Sequence, residues 1–420
     1  MSPHRSKTVF MVDDDLAICE FIGGLVESRN ARFVSWNRME GAKEAIEETK
    51  PDLILLDLHL PDGSGLHLCK ELSEDPAFSD TPVFMLTTRE FAIEREMALN
   101  SGADEFLQKP INHSSFLELL DQSLSDTVDL KFWGVRGSTP CANRENMEYG
   151  GNTSCMQMEL PDTEELLIFD SGSGIRNLGN ELVKLKKPIK GRIFITHAHW
   201  DHIQGFPFFK PLYMPRNHFT VHMPQQWSGK TDEVLSGQMT FTYFPVTTDM
   251  LKANIDYVTQ KHPPQDYNGY QIEMISANHP VATAMYKIRA NGKTIIYAPD
   301  NEIKPYWLDE PTPFTNQMLS FFKDADVVIH DGQYNRQLYK DRENWGHSAW
   351  EDAVEICARA GVKHLFLTHH DPDSNDRFLA QMDSDMEPYR KHFESLQLAR
   401  EGELFKLKAG VTEQATPAEK

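Results

Sequence analysis

Six consecutive residues, His197-Ala-His-Trp-Asp-His202, hold four metal-capable side chains: His197, His199, Asp201 and His202. They follow the apolar segment Arg192–Thr196, which reads as a strand, so they fall in the loop at its end. In such a loop His197 and His199 can point the same way. A helix opening near Trp200 would swing Asp201 and His202 towards a neighbouring point, and a set split in this way can bind two cations side by side. Imidazole with carboxylate suits Zn2+, Mn2+ or Fe2+ rather than Ca2+. Further candidates follow other apolar strands: His279 after Ile272–Ser276, Asp300 after Thr294–Ala298, and His369 after His364–Thr368. His330 and Asp331 after Asp326–Ile329, and His347 in Trp345-Gly-His-Ser, repeat that placement and are expected near the same site. A lone histidine is usually a satisfied core or surface residue, so the weight rests on the recurrence. His370 is expected to support His369 from behind, and His222 and His262 to lie at the surface.

A second constellation occupies the front of the chain. Asp13 and Asp14 close the apolar run Val9–Val12, Asp57 closes Leu53–Asp57, Thr87 closes Val83–Thr87, and Lys109 follows Glu105–Leu107. Three carboxylates at one rim repel each other unless a hard cation such as Mg2+ shares them. A hydroxyl and an ammonium beside them suit a phosphoryl group carried on the central carboxylate. Asp15 reads as a helix N-cap.

The elements that must position these groups follow from periodicity. Before residue 127, five short strands (including Arg32–Trp36) alternate with amphipathic segments at Leu16–Ser28, Met39–Thr49, Gly65–Leu72, Phe91–Asn100 and Ser114–Ser125. That pattern predicts a doubly wound α/β domain with ligands at the carboxyl ends of its strands. From residue 130 the chain becomes β-rich, with strands at Leu130–Val135, Thr153–Leu160 and Glu165–Asp170. The expected division is 1–127, 128–410 and a polar tail over 411–420, with the short junction Leu124–Leu130 between the domains.

The 420 residues carry 42 basic and 63 acidic side chains, a net charge of −21. The first 127 residues hold 11 basic and 24 acidic groups, which leaves 31 and 39 behind them. Such a surface repels polyanions at long range and disfavours a nucleic-acid polymer as partner. Of 17 histidines only His4, His59, His67 and His113 precede residue 130, so the histidine chemistry belongs to the second part. No apolar run approaches the ~20 residues of a membrane span, and the N-terminus lacks the apolar core of a signal peptide. Five scattered cysteines without a CxxC pair point to a reduced, cytoplasmic protein.

The motifs VFMVDDD, LILLDLHLPDGSG, MLTT and FLQKP over about residues 7–125 resemble the response-regulator receiver domain. The resemblance implies Asp57 as phosphoacceptor, Asp13, Asp14 and Asp57 as Mg2+ ligands, and Thr87, Phe106 and Lys109 as switch residues. It also implies a sensor histidine kinase or phosphotransfer protein as partner, and leaves room for a homodimer through the face containing Phe106. Thr88 stands where the family usually has a smaller residue, which is expected to alter the dephosphorylation rate.

Residues 130–408 resemble the metallo-β-lactamase superfamily, whose HxHxDH motif is matched by HAHWDH and whose fold is an αββα sandwich. The match implies that His197, His199 and His279 bind one metal and Asp201, His202 and His369 the other, with Asp300 and a hydroxide bridging. FWGVRGSTP, YGGNTSC, FDSGSGIRNLG and the stretch from Gly346 to Pro372 are similar to the tRNase Z-like and cyclic-phosphodiesterase-like members. In those enzymes a histidine matching His347, with an acidic partner here at Asp331, lies by the scissile phosphate, so His347 is expected to protonate the leaving oxygen and Asp201 to orient the nucleophile. The aromatic-rich segment His218–Asp249 differs from a tRNA-gripping arm. Its aromatics and their neighbours, Phe206, Phe208, Phe209, Trp227, Phe241, Tyr243 and Phe244, are expected mostly to pack onto the sandwich. Ser171-Gly-Ser-Gly reads as a tight turn, and the Asn152 sequon as irrelevant in the cytoplasm. The expected function is a response regulator whose phosphorylation tunes a binuclear phosphodiesterase acting on a small phosphodiester such as a cyclic nucleotide. Two rivals are a lactone, thioester or lactam hydrolase and a phosphorylation-controlled interaction module with a non-catalytic metal site.

Overall fold

In the first unit, Met1–Asp126, five apolar strands form a sheet in the order Arg32–Trp36, Thr8–Val12, Leu53–Asp57, Val83–Thr87, Glu105–Gln108. All neighbouring pairs are parallel, so the connecting helices cover both faces. Two apolar cores result, one on each side of the sheet. The order reverses beside Thr8–Val12, which puts the ends of that strand and of Leu53–Asp57 next to each other, where such sheets bind ligands. The second helix begins at Ala42 rather than Met39. Gly41 has φ +75°, and the Asp62 carboxylate accepts from the amides of Met39 (2.8 Å) and Glu40 (3.0 Å), holding that stretch outside the helix. Asp15 caps the first helix, Leu16–Glu27, through the amides of Ala17 and Ile18.

This computed structural model describes residues 7–408 apart from 76, 79–80, 89–91, 125–126, 162 and 261–263. The expectations for His262, for Phe91 and for the 411–420 tail lie outside the described residues.

The second unit, Thr127–Lys420, contains two seven-stranded sheets. One runs Asn254–Gln260, His218–Pro224, Lys190–Phe194, Leu166–Phe169, Cys155–Glu159, Thr127–Gly134, Leu404–Lys408. The other runs Gln265–Tyr267, Tyr270–Ser276, Ala284–Ala290, Lys293–Ala298, Val327–Asp331, His364–Thr368, Ser395–Leu398. Strand alternation sends one set of side chains inward and the other outward. Phe132, Phe169, Phe194, Tyr286, Tyr297 and Phe366 fill the space between the sheets. Val328, Leu365 and Leu367 face a helical layer that includes Pro313–Phe322 and Trp350–Arg359. Ile168, Ile193 and Val221 face the layer carrying Ile175–Lys184 and Thr231–Gln238. The architecture is the expected αββα sandwich.

The same alternation corrects two expectations. His222, read as a surface residue, is buried between the sheets, stacked on Phe194 with ring centroids 4.6 Å apart and bonded to Gln260 Oε1 at 2.9 Å. Its strand neighbours Val221 and Met223 face the helices, which obliges His222 to face inward. His330 shares the helix-facing side of its strand with Val328. Its ring meets Phe322 at 5.7 Å and its Nδ1 lies 2.7 Å from the Asp331 carbonyl, so it does not join the histidine cluster.

Candidate metal centre

Strand ends build the centre. The strand Lys190–Phe194 delivers His197 and His199, and the single-turn helix Trp200–Ile203 turns Asp201 and His202 towards the same space. Tyr270–Ser276 leads to His279, Lys293–Ala298 to Asp300, and His364–Thr368 to His369. All seven expected ligands come together. His197, His199 and His279 form one group and Asp201, His202 and His369 another, each with its donor atoms within 4.8 Å of one another. Asp300 stands between them. Its Oδ2 lies 3.7 Å from His197 Nε2 and 3.9 Å from His279 Nε2, while its Oδ1 lies 3.1 Å from His202 Nε2 and 3.4 Å from His369 Nε2.

The donors fit a pair of cations. His197 Nε2 and Asp300 Oδ1 are buried and make no hydrogen bond, an arrangement that costs stability unless another electron acceptor engages them. Burial drives the His197 imidazole well below its ordinary value and His279 down to about 4, leaving both neutral and ready to donate a lone pair. Burial also opposes charge at His202 and His369. There the neighbouring Asp300 and Asp201 carboxylates prevail, holding His202 well above its usual value and His369 up to about 9. The cluster thus calls for positive charge, which a divalent ion with nitrogen and oxygen preferences would supply.

Outer contacts set the ring orientations. His202 Nδ1 donates to Asp170 at 2.8 Å, His279 Nδ1 lies 2.9 Å from the Gly346 carbonyl, and the Ser138 amide donates to Asp201 Oδ2 at 2.7 Å. Asp170 also accepts from the Thr196 amide at 2.7 Å and sits fully buried with φ +61°. In the sequence it reads only as the end of the strand Glu165–Asp170. Its available signal was an acidic residue closing the apolar run Leu166–Phe169. Arg136 escaped notice as well. Buried, it donates to the carbonyls of Gly150 (2.7 Å), Asp371 (3.1 Å) and Ser374 (2.6 Å), tying down the loop that follows His369. Gly137 leaves room for the His369 ring, since a Cβ there would come within 2.4 Å of Nδ1. His370, expected behind His369, turns away and donates to the Ala399 carbonyl at 2.8 Å.

His347 lines the same cavity of about 450 Å³, together with Ser138, Ala198, His199, Trp200, Asp201, Asp300 and His369. Its Nδ1 lies 2.7 Å from Asp331 Oδ2, and its ring stacks on His369 at 4.7 Å. Asp331 Oδ1 accepts from the amides of Gln333 at 3.0 Å and Ser348 at 3.3 Å, which fixes the dyad. The aromatics do not follow expectation as a group. Phe206 and Phe209 are fully buried and Phe244 is partly buried against the same core, but Phe208, Trp227, Phe241 and Tyr243 are exposed. Ser171 opens a tight turn, its Oγ donating to the His202 carbonyl at 3.1 Å.

In the first unit the rim residues converge too. Lys109 Nζ lies 2.6 Å from Asp13 Oδ2 and 2.7 Å from Asp57 Oδ1. Burial would lower the Lys109 ammonium, but the two carboxylates overcome it and raise it; at Asp13 burial wins and raises the carboxyl. Thr87 is fully buried at the end of its strand, Phe106 is half-buried, and Asp14 stands at the exposed edge.

Comparison with known proteins finds relatives for both domains. Residues 9–121 match the response regulator receiver domain and residues 167–370 the beta-lactamase superfamily domain. The phosphate regulon transcriptional regulatory protein PhoB of Pseudomonas aeruginosa is 33% identical over 121 residues, 29% of this chain and 53% of that protein, so the chain spans about half of that regulator's length. Ribonuclease BN of Proteus mirabilis is 24% identical over 328 residues, covering 67% of this chain and 100% of that protein. A crystal structure of a diphosphatase from the PhnP family aligns with a TM-score of 0.49 at 17% identity, over 67% of this chain and 100% of that one. The chain is a response-regulator receiver domain joined to a metallo-β-lactamase-fold domain.

Proposed function

We propose that the second domain is a binuclear metal-dependent phosphodiesterase acting on a small phosphodiester, and that phosphorylation of Asp57 in the receiver domain tunes it. The observation that carries this reading is Asp300, whose two oxygens face two separate donor groups, in one cavity with His347, which is backed by Asp331. When bound, two divalent ions, Zn2+ or Mn2+ in this reading, supply Lewis-acid stabilisation of a phosphoryl group and a water acidic enough to attack near neutral pH. Asp201, held by the Ser138 amide, orients the attacking water. Asp331 accepts from Nδ1–H of His347 and so aims Nε2, which when it also carries a proton can pass it to the leaving oxygen. A ribonuclease BN matched along its whole length is by name an enzyme that cuts phosphodiesters, in keeping with this chemistry.

In the receiver domain Lys109, poised between Asp13 and Asp57, can pair with phosphoryl oxygens once Asp57 is modified, and Mg2+ would join Asp13, Asp14 and Asp57. A histidine kinase or phosphotransfer protein would supply the phosphoryl group.

The test is turnover of bis-p-nitrophenyl phosphate by protein loaded with Mn2+ or Zn2+, with and without acetyl phosphate and Mg2+. Wild type should turn over, His199→Ala should lose at least 100-fold, and the response to acetyl phosphate should vanish in Asp57→Asn. No turnover by metal-replete protein across a phosphodiester panel would defeat the reading.

A further inference from the structure

Two tryptophans stand in the open beside the metal centre: Trp200 is 80% exposed and Trp345 59%. An indole left in water keeps its flat face free for stacking, and these two, unlike the still more exposed Trp227, adjoin residues of the metal centre. Both are tied to the same histidine. Trp200 follows His199, whose Nδ1 is 3.1 Å from His279 Nε2; Trp345 precedes Gly346, whose carbonyl is 2.9 Å from His279 Nδ1. Trp200 itself lines the cavity.

The Trp345 loop is held firmly. Glu302 accepts from the Asn344 amide at 2.7 Å and from the Tyr339 hydroxyl at 2.6 Å, and Lys304 reaches Asn344 Oδ1 at 2.7 Å. The Arg342 guanidinium lies between two rings, 5.1 Å from Tyr334 and 6.0 Å from Trp345, so the indole is backed by a cation. Phe208, by contrast, closes on Phe244 at 5.2 Å.

Among the described residues, the cavity lining contains no lysine or arginine. Metal ions could satisfy one phosphodiester charge there, but no lining cation awaits a second phosphate. A flat, uncharged group suits such a lining, because stacking on indole supplies affinity without a cation in the cavity. We propose that Trp200 and Trp345 form an aromatic clamp that stacks the base of a nucleoside phosphodiester. This rests on the phosphodiesterase reading and narrows its substrate class to nucleoside esters carrying a single phosphodiester.

The decisive measurement compares kcat/KM for p-nitrophenyl thymidine 5′-phosphate and for methyl p-nitrophenyl phosphate, using the metal-loaded full chain. The ratio should fall about tenfold through KM in Trp200→Ala and in Trp345→Ala, and recover in Trp200→Phe and Trp345→Phe. A ratio unchanged in both alanine variants overturns the clamp while leaving the phosphodiesterase reading intact. If wild type hydrolyses neither ester, that reading fails, and the clamp is judged by thymidine 5′-monophosphate binding instead. Saturable quenching of tryptophan fluorescence, lost in the Trp200→Phe/Trp345→Phe double variant, supports it; no quenching in wild type overturns it.

Discussion

Asp300 and Asp170 show how single carboxylates divide labour in the centre. Asp300 faces both donor groups, whereas Asp170, anchored by the Thr196 amide, meets the cluster at Nδ1 of His202, the nitrogen turned away from Asp300. A carboxylate in that outer position orients its imidazole and strengthens it as a donor. Asp170→Asn keeps the shape and tolerates the φ of +61°, so it isolates the charge. It should weaken divalent-metal affinity by about 10–100-fold, measured by competition with a chelator. His347 makes a different demand. If it protonates the leaving oxygen, His347→Ala should cost about 100-fold or more with an alkoxide leaving group and far less with p-nitrophenolate, which departs without a proton. Equal losses on both esters would remove His347 from that role.

At the scale of elements, strand ends supply chemistry and strand interiors decide which side chains reach it. Asp331 and His330 are neighbours, yet only Asp331 reaches His347, because His330 falls on the helix-facing side with Val328. Glu165 joins the two sheets just before the strand Leu166–Phe169. It accepts from Arg192 Nε at 2.8 Å on one sheet and from the Tyr270 hydroxyl at 2.6 Å on the other. Burial opposes its ionisation, but Arg192 and Tyr270 prevail and hold the carboxyl below its ordinary 4.5. A depressed folded-state value contributes stability above pH 4.5 and loses it as pH falls through the folded value. Glu165→Gln should therefore lower unfolding free energy by about 1–3 kcal/mol at pH 7, with the gap narrowing below pH 4.5, read from urea midpoints.

For the whole molecule, the net charge of −21 is the property most relevant to substrate choice. Like charges repel over about 10 Å at 0.1 M salt, and added salt shortens that reach. An oligoribonucleotide should accordingly be cut poorly at low ionic strength, with kcat/KM rising as salt increases. A small phosphodiester should show a nearly flat response between about 25 and 200 mM. A falling salt profile for the oligomer would mean that positive charge guides it. Among the described residues no helix is long and apolar enough to cross a membrane, in keeping with the short apolar runs of the sequence.

Much of the centre was legible beforehand, because ligands placed directly after apolar strands advertise themselves by residue type and position. HAHWDH, His279, Asp300 and His369 needed only the assumption that strand ends of one sandwich edge meet, and they do meet. The receiver rim, Asp13, Asp57 and Lys109, was legible for the same reason. What the chain alone left open were contacts made by ordinary residues across long separations. Asp170 supports His202 over 32 positions, and Arg136 grips carbonyls 235 and 238 residues away. No local pattern distinguishes such a carboxylate or guanidinium from any other. The exposure of Trp200 and Trp345 was equally invisible, since whether an indole is covered depends on which layers pack above it. Periodicity determined the doubly wound first domain and the metal-capable strand ends, and the motif resemblance implied the αββα sandwich. Only the packed sandwich decided which neighbouring groups orient those side chains and which aromatic rings remain exposed.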